Sequence, residues 1–175
     1  MNSTLEGEGH DRPFNLDAED LAMLASIKKS GKPVVGFVNA GGSIGMTSWE
    51  AQMNGLVWAF YAGQNAGLAA GEILFGLTNP SGKLPMTFER RWEENPVYNN
   101  YHDPDGDKHV EYKEGIFVGY RGYDKLKRMV QYPFGYGLSY TTFEISDMKV
   151  SAQQADGSVD VSYTLSNTGT RDGAQ

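Results

Sequence analysis

Residues 32–42 read "KPVVGFVNAGG", a continuous apolar run that stops on two glycines. A strand with one wet face alternates apolar and polar residues. A run without alternation is what a strand covered on both faces requires. "GLVWAFYAG", residues 55–63, repeats the pattern. Upstream, "NLDAEDLAMLASIKKSG" (15–31) has approximate helical spacing through Leu21, Leu24, Ala25 and Ile27. Asp17 with Asp20 three residues later makes a weak capping box, Lys28 and Lys29 suit a last turn, and Gly31 suits the stop. Downstream, "QNAGLAAGEILFG" (64–76) reads as a second helix ending at Gly76. Helix, strand, strand and helix in that order predict an α/β fold: an open, mostly parallel sheet flanked by helices.

The pattern then changes. "NPSGKLP" (79–85) invites a phosphate-loop reading, but the glycine spacing is wrong and Leu84 stands where Ser or Thr is required. It reads instead as a turn before a strand. Residues 89–115 are polar and turn-rich, too long for a routine connection. "IFVGYRGYD" and "YPFGYGLSYTTFEI" follow, dense in aromatics and glycine. From about residue 143 the period becomes two. In "VDVSYTLSNTG" Val159, Val161, Tyr163 and Leu165 share one face, and "NTG" is turn chemistry. This predicts the opening hairpin of a truncated β-sandwich. Met1 leads straight into a charged loop and "RDGAQ" stops in mid-pattern, so both ends are expected to be cut.

Composition narrows the function. Net charge is −7, which disfavours nucleic acid and anionic membrane surfaces as partners; neutral substrates fit better. No cysteine is present, which removes disulfides and thiolate chemistry. No apolar run approaches the length of a membrane span.

The candidate site is near the start, in "TLEGEGHDRPF" (4–14). Glu6, Glu8, His10, Asp11 and Arg12 crowd beside Gly7 and Gly9. Taken alone, a glutamate between glycines is more often a solvated loop residue than a catalyst. Glycoside cleavage would need a second carboxylate, which local reasoning does not find. Metal binding fares no better. Asp103, Asp105, Asp107 and Glu114 fall at positions 1, 3, 5 and 12 of a calcium-loop pattern. Position 6 is Lys108 instead of glycine, however, and no helices are expected on either side. His10, His102 and His109 lack ligand spacing. No metal and no cofactor is expected. Phe60, Tyr61, Tyr120, Tyr123 and the aromatics from Tyr132 to Tyr140 serve either as core or as a platform for pyranose rings, the former being commoner.

Five stretches occur in a telling order: "GEGHDR" (7–12), "PVVGFVNAGG" (33–42), "YAGQNAGLAAGEILFGLTNPSGKLPMTF" (61–88), "EGIFVGYRGYD" (114–124) and "YPFGYGLSYTTFE" (132–144). This series resembles the C-terminal half of glycoside hydrolase family 3, the β-glucosidase and β-xylosidase family. The segment from Asn95 to Arg121 looks like its bacterial members.

The resemblance implies a partial α/β sandwich over 1–142 and the beginning of a fibronectin type III-like domain over 143–175. It implies that an N-terminal barrel domain is missing from this chain. It also implies a mechanism that retains anomeric configuration. An Asp on the barrel attacks the anomeric carbon, and a Glu on the sandwich protonates the leaving oxygen. By its place in "GEGHDR" that acid/base is Glu8. Gly7 and Gly9 would give it access, and His10, Asp11 and Arg12 would support the loop. The implied substrate is a β-linked oligosaccharide or glycoside, and the implied location is periplasmic or extracellular. Two other readings stand beside it: a non-catalytic carbohydrate-binding accessory unit with an α/β core, and, more weakly, a nucleotide-binding domain.

Overall fold

A computed structural model describes residues 12–100, 103 and 105–175. The fold is α/β. Its residues divide into two compact units. One comprises the described residues through Gly67 together with Lys83–Tyr136; the other comprises Leu68–Gly82 and Gly137–Gln175.

The first unit opens with helix α1, Ala18–Lys28. Asp17 is its N-cap, and its carboxylate accepts the backbone N–H of Asp20 at 2.8 Å. Gly31 follows the end in the left-handed region, at φ +68°, as its place in the sequence predicts. An Asp17→Ala variant is expected to lose about 1 kcal/mol of stability, read as a lower midpoint in thermal unfolding. An unchanged midpoint would mean that the cap contributes nothing here.

Strands β1 (Val35–Val38) and β2 (Gly55–Trp58) pair in parallel, Val35 opposite Gly55 and Val38 opposite Trp58. The chain direction agrees with expectation. The covering does not: Val38 is buried, but Val35 is 52% exposed. Among the described residues there is no single open sheet. There are three two-stranded sheets, β1–β2 parallel and the other two antiparallel. Apolar runs report how much covering a strand needs, and say nothing about which neighbours supply it.

The core of this unit is Leu24 of α1 with Val38, Ala40, Ile44, Met46, Trp49 and Phe88. Trp49 and Met46 are fully buried, and the Trp49 indole N–H donates to the carbonyl of Gly45 at 2.7 Å. Trp58 meets Phe88 edge-on at 4.6 Å between ring centres. Phe88 lies on β3 (Phe88–Glu89), which pairs antiparallel with β4 (Val130–Tyr132). A short helix α3, Tyr120–Leu126, precedes β4. Glu50, in the turn of 3-10 helix after Trp49, accepts hydrogen bonds from Tyr132 and, at 3.0 Å, from the Gln131 side chain. Burial, then that carboxylate, raises the Tyr132 phenol above its ordinary range.

The second unit holds most of helix α2 (Ala66–Leu74) and the antiparallel hairpin of β5 (Phe143–Val150) and β6 (Val161–Asn167). Gly76 ends α2 at φ +71°, where its N–H bonds the carbonyl of Ile73. Asn79 of the "NPSG" turn accepts from the Ser139 hydroxyl at 3.0 Å and the Tyr140 backbone at 2.8 Å. Arg171 donates to the carbonyl of Gly76 and lies over the Tyr140 ring. The hairpin predicted from period-two spacing is present. Its register shifts between Ser146 and Lys149, where Asp147 has φ +52°. Among the described residues no helix is long and apolar enough to cross a membrane.

Candidate active-site segment

Gly7, Glu8, Gly9, His10 and Asp11 lie outside the described residues. Arg12, the last residue of "GEGHDR", is the first that the structure describes, and what holds it can be followed residue by residue.

Arg12 donates through its guanidinium to the carbonyls of Ser43 and Pro13. Two residues on, the Phe14 carbonyl accepts the Gly45 N–H at 2.8 Å, and Asn15 forms a parallel bridge with Gly45. This stitching requires glycine at 45. A Cβ there would lie 2.1 Å from the Asn15 side-chain oxygen and 3.0 Å from the Phe14 ring. Residues 12–15 therefore lie along the segment 43–45, which the core holds through Ile44 and Met46.

Ser43 is itself held from behind. Its hydroxyl donates to Glu89 Oε2 at 3.1 Å. The Asn95 side-chain amide donates to Glu89 Oε1 at 3.3 Å, and the Tyr123 hydroxyl makes a longer contact to Oε2 at 3.5 Å. Glu89 is 2% exposed, and the donors come from three separate parts of the chain. A buried carboxylate is tolerable only with such donors around it. Burial first, and then the Glu89 charge, push the Tyr123 phenol above the ordinary tyrosine range.

The donors are fixed in turn. The Asn95 carbonyl accepts from Arg128 at 3.2 Å and the Glu94 carbonyl from the same nitrogen at 2.6 Å. Asn95 Oδ1 accepts the Val97 N–H at 3.1 Å, which sets the amide so that its NH₂ faces Glu89. Tyr123 reaches the site because Gly122 lets α3 approach Pro96, where a Cβ would come within 2.7 Å of the proline ring. Sequence reasoning missed Ser43, Glu89 and Asn95; it singled out Tyr123 only as one of the aromatics that serve as core or as a sugar platform, and Tyr123 is buried. In "TFERR" the glutamate starts a charged run that reads as solvated, and its partners are 46, 6 and 34 residues away. No local pattern announces such a cluster.

The remaining candidates sort as follows. Asp103, Asp105 and Asp107 come together, with one carboxylate oxygen from each within 4.8 Å of the others. Their oxygens build turns: Asp103 accepts the Gly106 and Lys108 N–H groups, each at 2.8 Å, and Asp107 accepts the His109 N–H at 2.7 Å. The Lys108 N–H, above all, holds the Asp103 carboxyl below its usual range. Glu114 is not in that group among the described residues. The His109 ring is exposed beside Asp107, while His10 and His102 lie outside the described residues. Tyr120 and Phe134 stack at 4.9 Å and are 42% and 51% exposed, and Tyr123 is buried.

Comparison with known proteins gives one consistent answer. Residues 1–120 match the family described as Glycosyl hydrolase family 3 C-terminal domain. The chain is 40% identical over 182 residues to probable beta-glucosidase J of Neosartorya fischeri, which covers 100% of this chain and 21% of that protein. It is 36% identical to an exo-alpha-(1->6)-L-arabinopyranosidase of Bifidobacterium longum, over 100% of this chain and 23% of that one. Among solved structures it resembles beta-glucosidase 3B of Thermotoga neapolitana, with a TM-score of 0.86 and 39% identity, over 94% of this chain and 24% of the other. The chain thus spans between a fifth and a quarter of the length of these relatives.

Proposed function

The chain belongs to glycoside hydrolase family 3, and from that premise we propose that it supplies the proton-donating half of a retaining β-glycosidase site. Glu8 is the acid/base. The nucleophilic Asp lies on a barrel domain outside this chain. The observation that carries the reading is the family match, which begins at residue 1 and so includes "GEGHDR". The anchoring of Arg12 on Ser43 supports it, because a proton donor delivered by a loop needs that loop fixed close by.

The two carboxyls of a retaining enzyme stand about 5–5.5 Å apart across the scissile bond. Glu8 gives its proton to the departing oxygen while the nucleophile forms a glycosyl-enzyme ester. Glu8, now a carboxylate, then takes a proton from the water that hydrolyses the ester. Gly7 and Gly9 permit the close approach, and His10, Asp11 and Arg12 support the loop. Glucose is the sugar we assign, since the β-glucosidase name recurs among the relatives. We place the start of a fibronectin type III-like domain at residue 143 and the sandwich domain over 1–142. The apolar side chains of the hairpin support this, Ile145 at 60% and Tyr163 at 56% exposure calling for a cover.

The experiment follows the first-formed sugar by NMR while the longer enzyme that contains this chain hydrolyses a β-glucoside. The β-anomer is expected first, with the α-anomer growing in only by mutarotation. The α-anomer appearing first would overturn the reading.

A further inference from the structure

We propose that Glu89 is a positioning residue for the acid/base loop, holding Ser43 so that Ser43 in turn holds Arg12 and the chain that leads to Glu8. The proposal rests on the assignment of Glu8 as proton donor and deepens it.

The argument starts from what occupies position 89. Its strand neighbour Phe88 is core, and an apolar residue would pack at 89 with no desolvation cost. A glutamate is there instead, 2% exposed. Taking a carboxylate out of water is costly, and an apolar substitute is often neutral or better for stability. What a carboxylate does that an apolar side chain cannot is accept from several donors at once and aim them. Glu89 aims Ser43 Oγ and Asn95 Nδ2, with the Tyr123 hydroxyl beside them. The Ser43 hydroxyl and the Asn95 amide both donate toward its oxygens, which fixes the direction in which each points.

Ser43 is the link outward. Its side chain faces Glu89 and its carbonyl faces Arg12. Fixing the side chain fixes the peptide that receives the guanidinium. The adjoining Gly45–Phe14 backbone bond keeps the next residues parallel to it. From Arg128 through Asn95, Glu89 and Ser43 to Arg12, each group is held by the one before it, and all belong to one compact unit. Arg12 is four residues from Glu8. Misplacing a proton donor by a fraction of an ångström leaves the fold intact and the proton transfer slow.

The test uses Glu89→Gln and Ser43→Ala in the longer enzyme, with Glu8→Ala alongside. Two substrates are compared: an alkyl β-glucoside, whose leaving oxygen needs a proton, and 2,4-dinitrophenyl β-glucoside, whose leaving group does not. Glutamine keeps an acceptor for Asn95 but presents an NH₂ to Ser43. Alanine at 43 removes the hydroxyl and leaves the carbonyl. In both variants kcat/KM for the alkyl glucoside is expected to fall about tenfold while that for the dinitrophenyl glucoside stays within about twofold. A purely structural role would lower both equally by reducing the folded fraction. Equal losses, or none, would overturn the proposal. Should Glu89→Gln fail to fold, Ser43→Ala carries the same comparison. If Glu8→Ala does not separate the two substrates, the proton-donor assignment fails. If it does and the other two variants do not, only the positioning role fails.

Discussion

Glu8→Ala in the longer enzyme is expected to cut kcat/KM for an alkyl β-glucoside by about 10²–10⁴-fold, the usual worth of a positioned general acid. The same variant should leave kcat/KM for 2,4-dinitrophenyl β-glucoside nearly unchanged. That parameter reports steps up to the first irreversible one, and a dinitrophenolate departs without protonation. Its kcat should nevertheless fall, because water attacking the glycosyl-enzyme has lost its general base. The pH profile adds an independent sign. An acid must be protonated to act, so if Glu8 is the acid, wild-type kcat/KM for the alkyl substrate is expected to fall as pH rises through the pKa of that acid. Removing Glu8 removes that basic limb. Equal losses on both substrates, with the basic limb retained, would assign the proton to another group.

Trp49→Ala should be the most damaging single change in the first unit. The indole is fully buried against Val38, Met46 and Phe88, and its N–H satisfies the Gly45 carbonyl. Truncation leaves a cavity and removes the indole's hydrogen bond to Gly45, together costing about 3–5 kcal/mol. Against a total of about 5–15 kcal/mol for an ordinary domain, that is a large share. Urea titration is expected to show a midpoint far below wild type. Met23→Ala, at 47% exposure, is the control and should shift it little. The damage is also expected to loosen residues 14 and 15, since Phe14 and Asn15 lie on Gly45. A Trp49→Ala midpoint close to that of Met23→Ala would mean that this cluster is not the core that holds the segment.

Much of the scaffold was legible locally. Asp17 and Gly31 bound α1, and Gly76 ends α2, because caps and left-handed stops are written in single residues. The two apolar runs became β1 and β2, though with less covering than their composition suggests. What escaped is what depends on distant partners. Helix α3 was not predicted, because "YRGYDKL" has a central glycine and aromatics that carry no helical period. The glycine is there for contact with Pro96, which only the fold reveals. Strands β3 and β4, of two and three residues, are too short to show any period. The candidate site divides the same way. By local reasoning "GEGHDR" was a solvated loop, and Glu8 was picked out only by the order of motifs along the chain. The polar cluster behind Ser43 was invisible, since Ser43, Glu89, Asn95 and Tyr123 meet only once the chain is folded.

The measurement that bears most directly on the central claim is azide rescue of Glu8→Ala with 2,4-dinitrophenyl β-glucoside. Azide is an anion that needs no base to attack the glycosyl-enzyme, so it should replace what the Glu8 carboxylate is proposed to do for water. Turnover should rise with azide in the variant and not in wild type, and the product should be β-glucosyl azide, formed by a second inversion at the same carbon. A variant whose turnover does not respond to azide, and which releases only glucose, would show that Glu8 is not the acid/base.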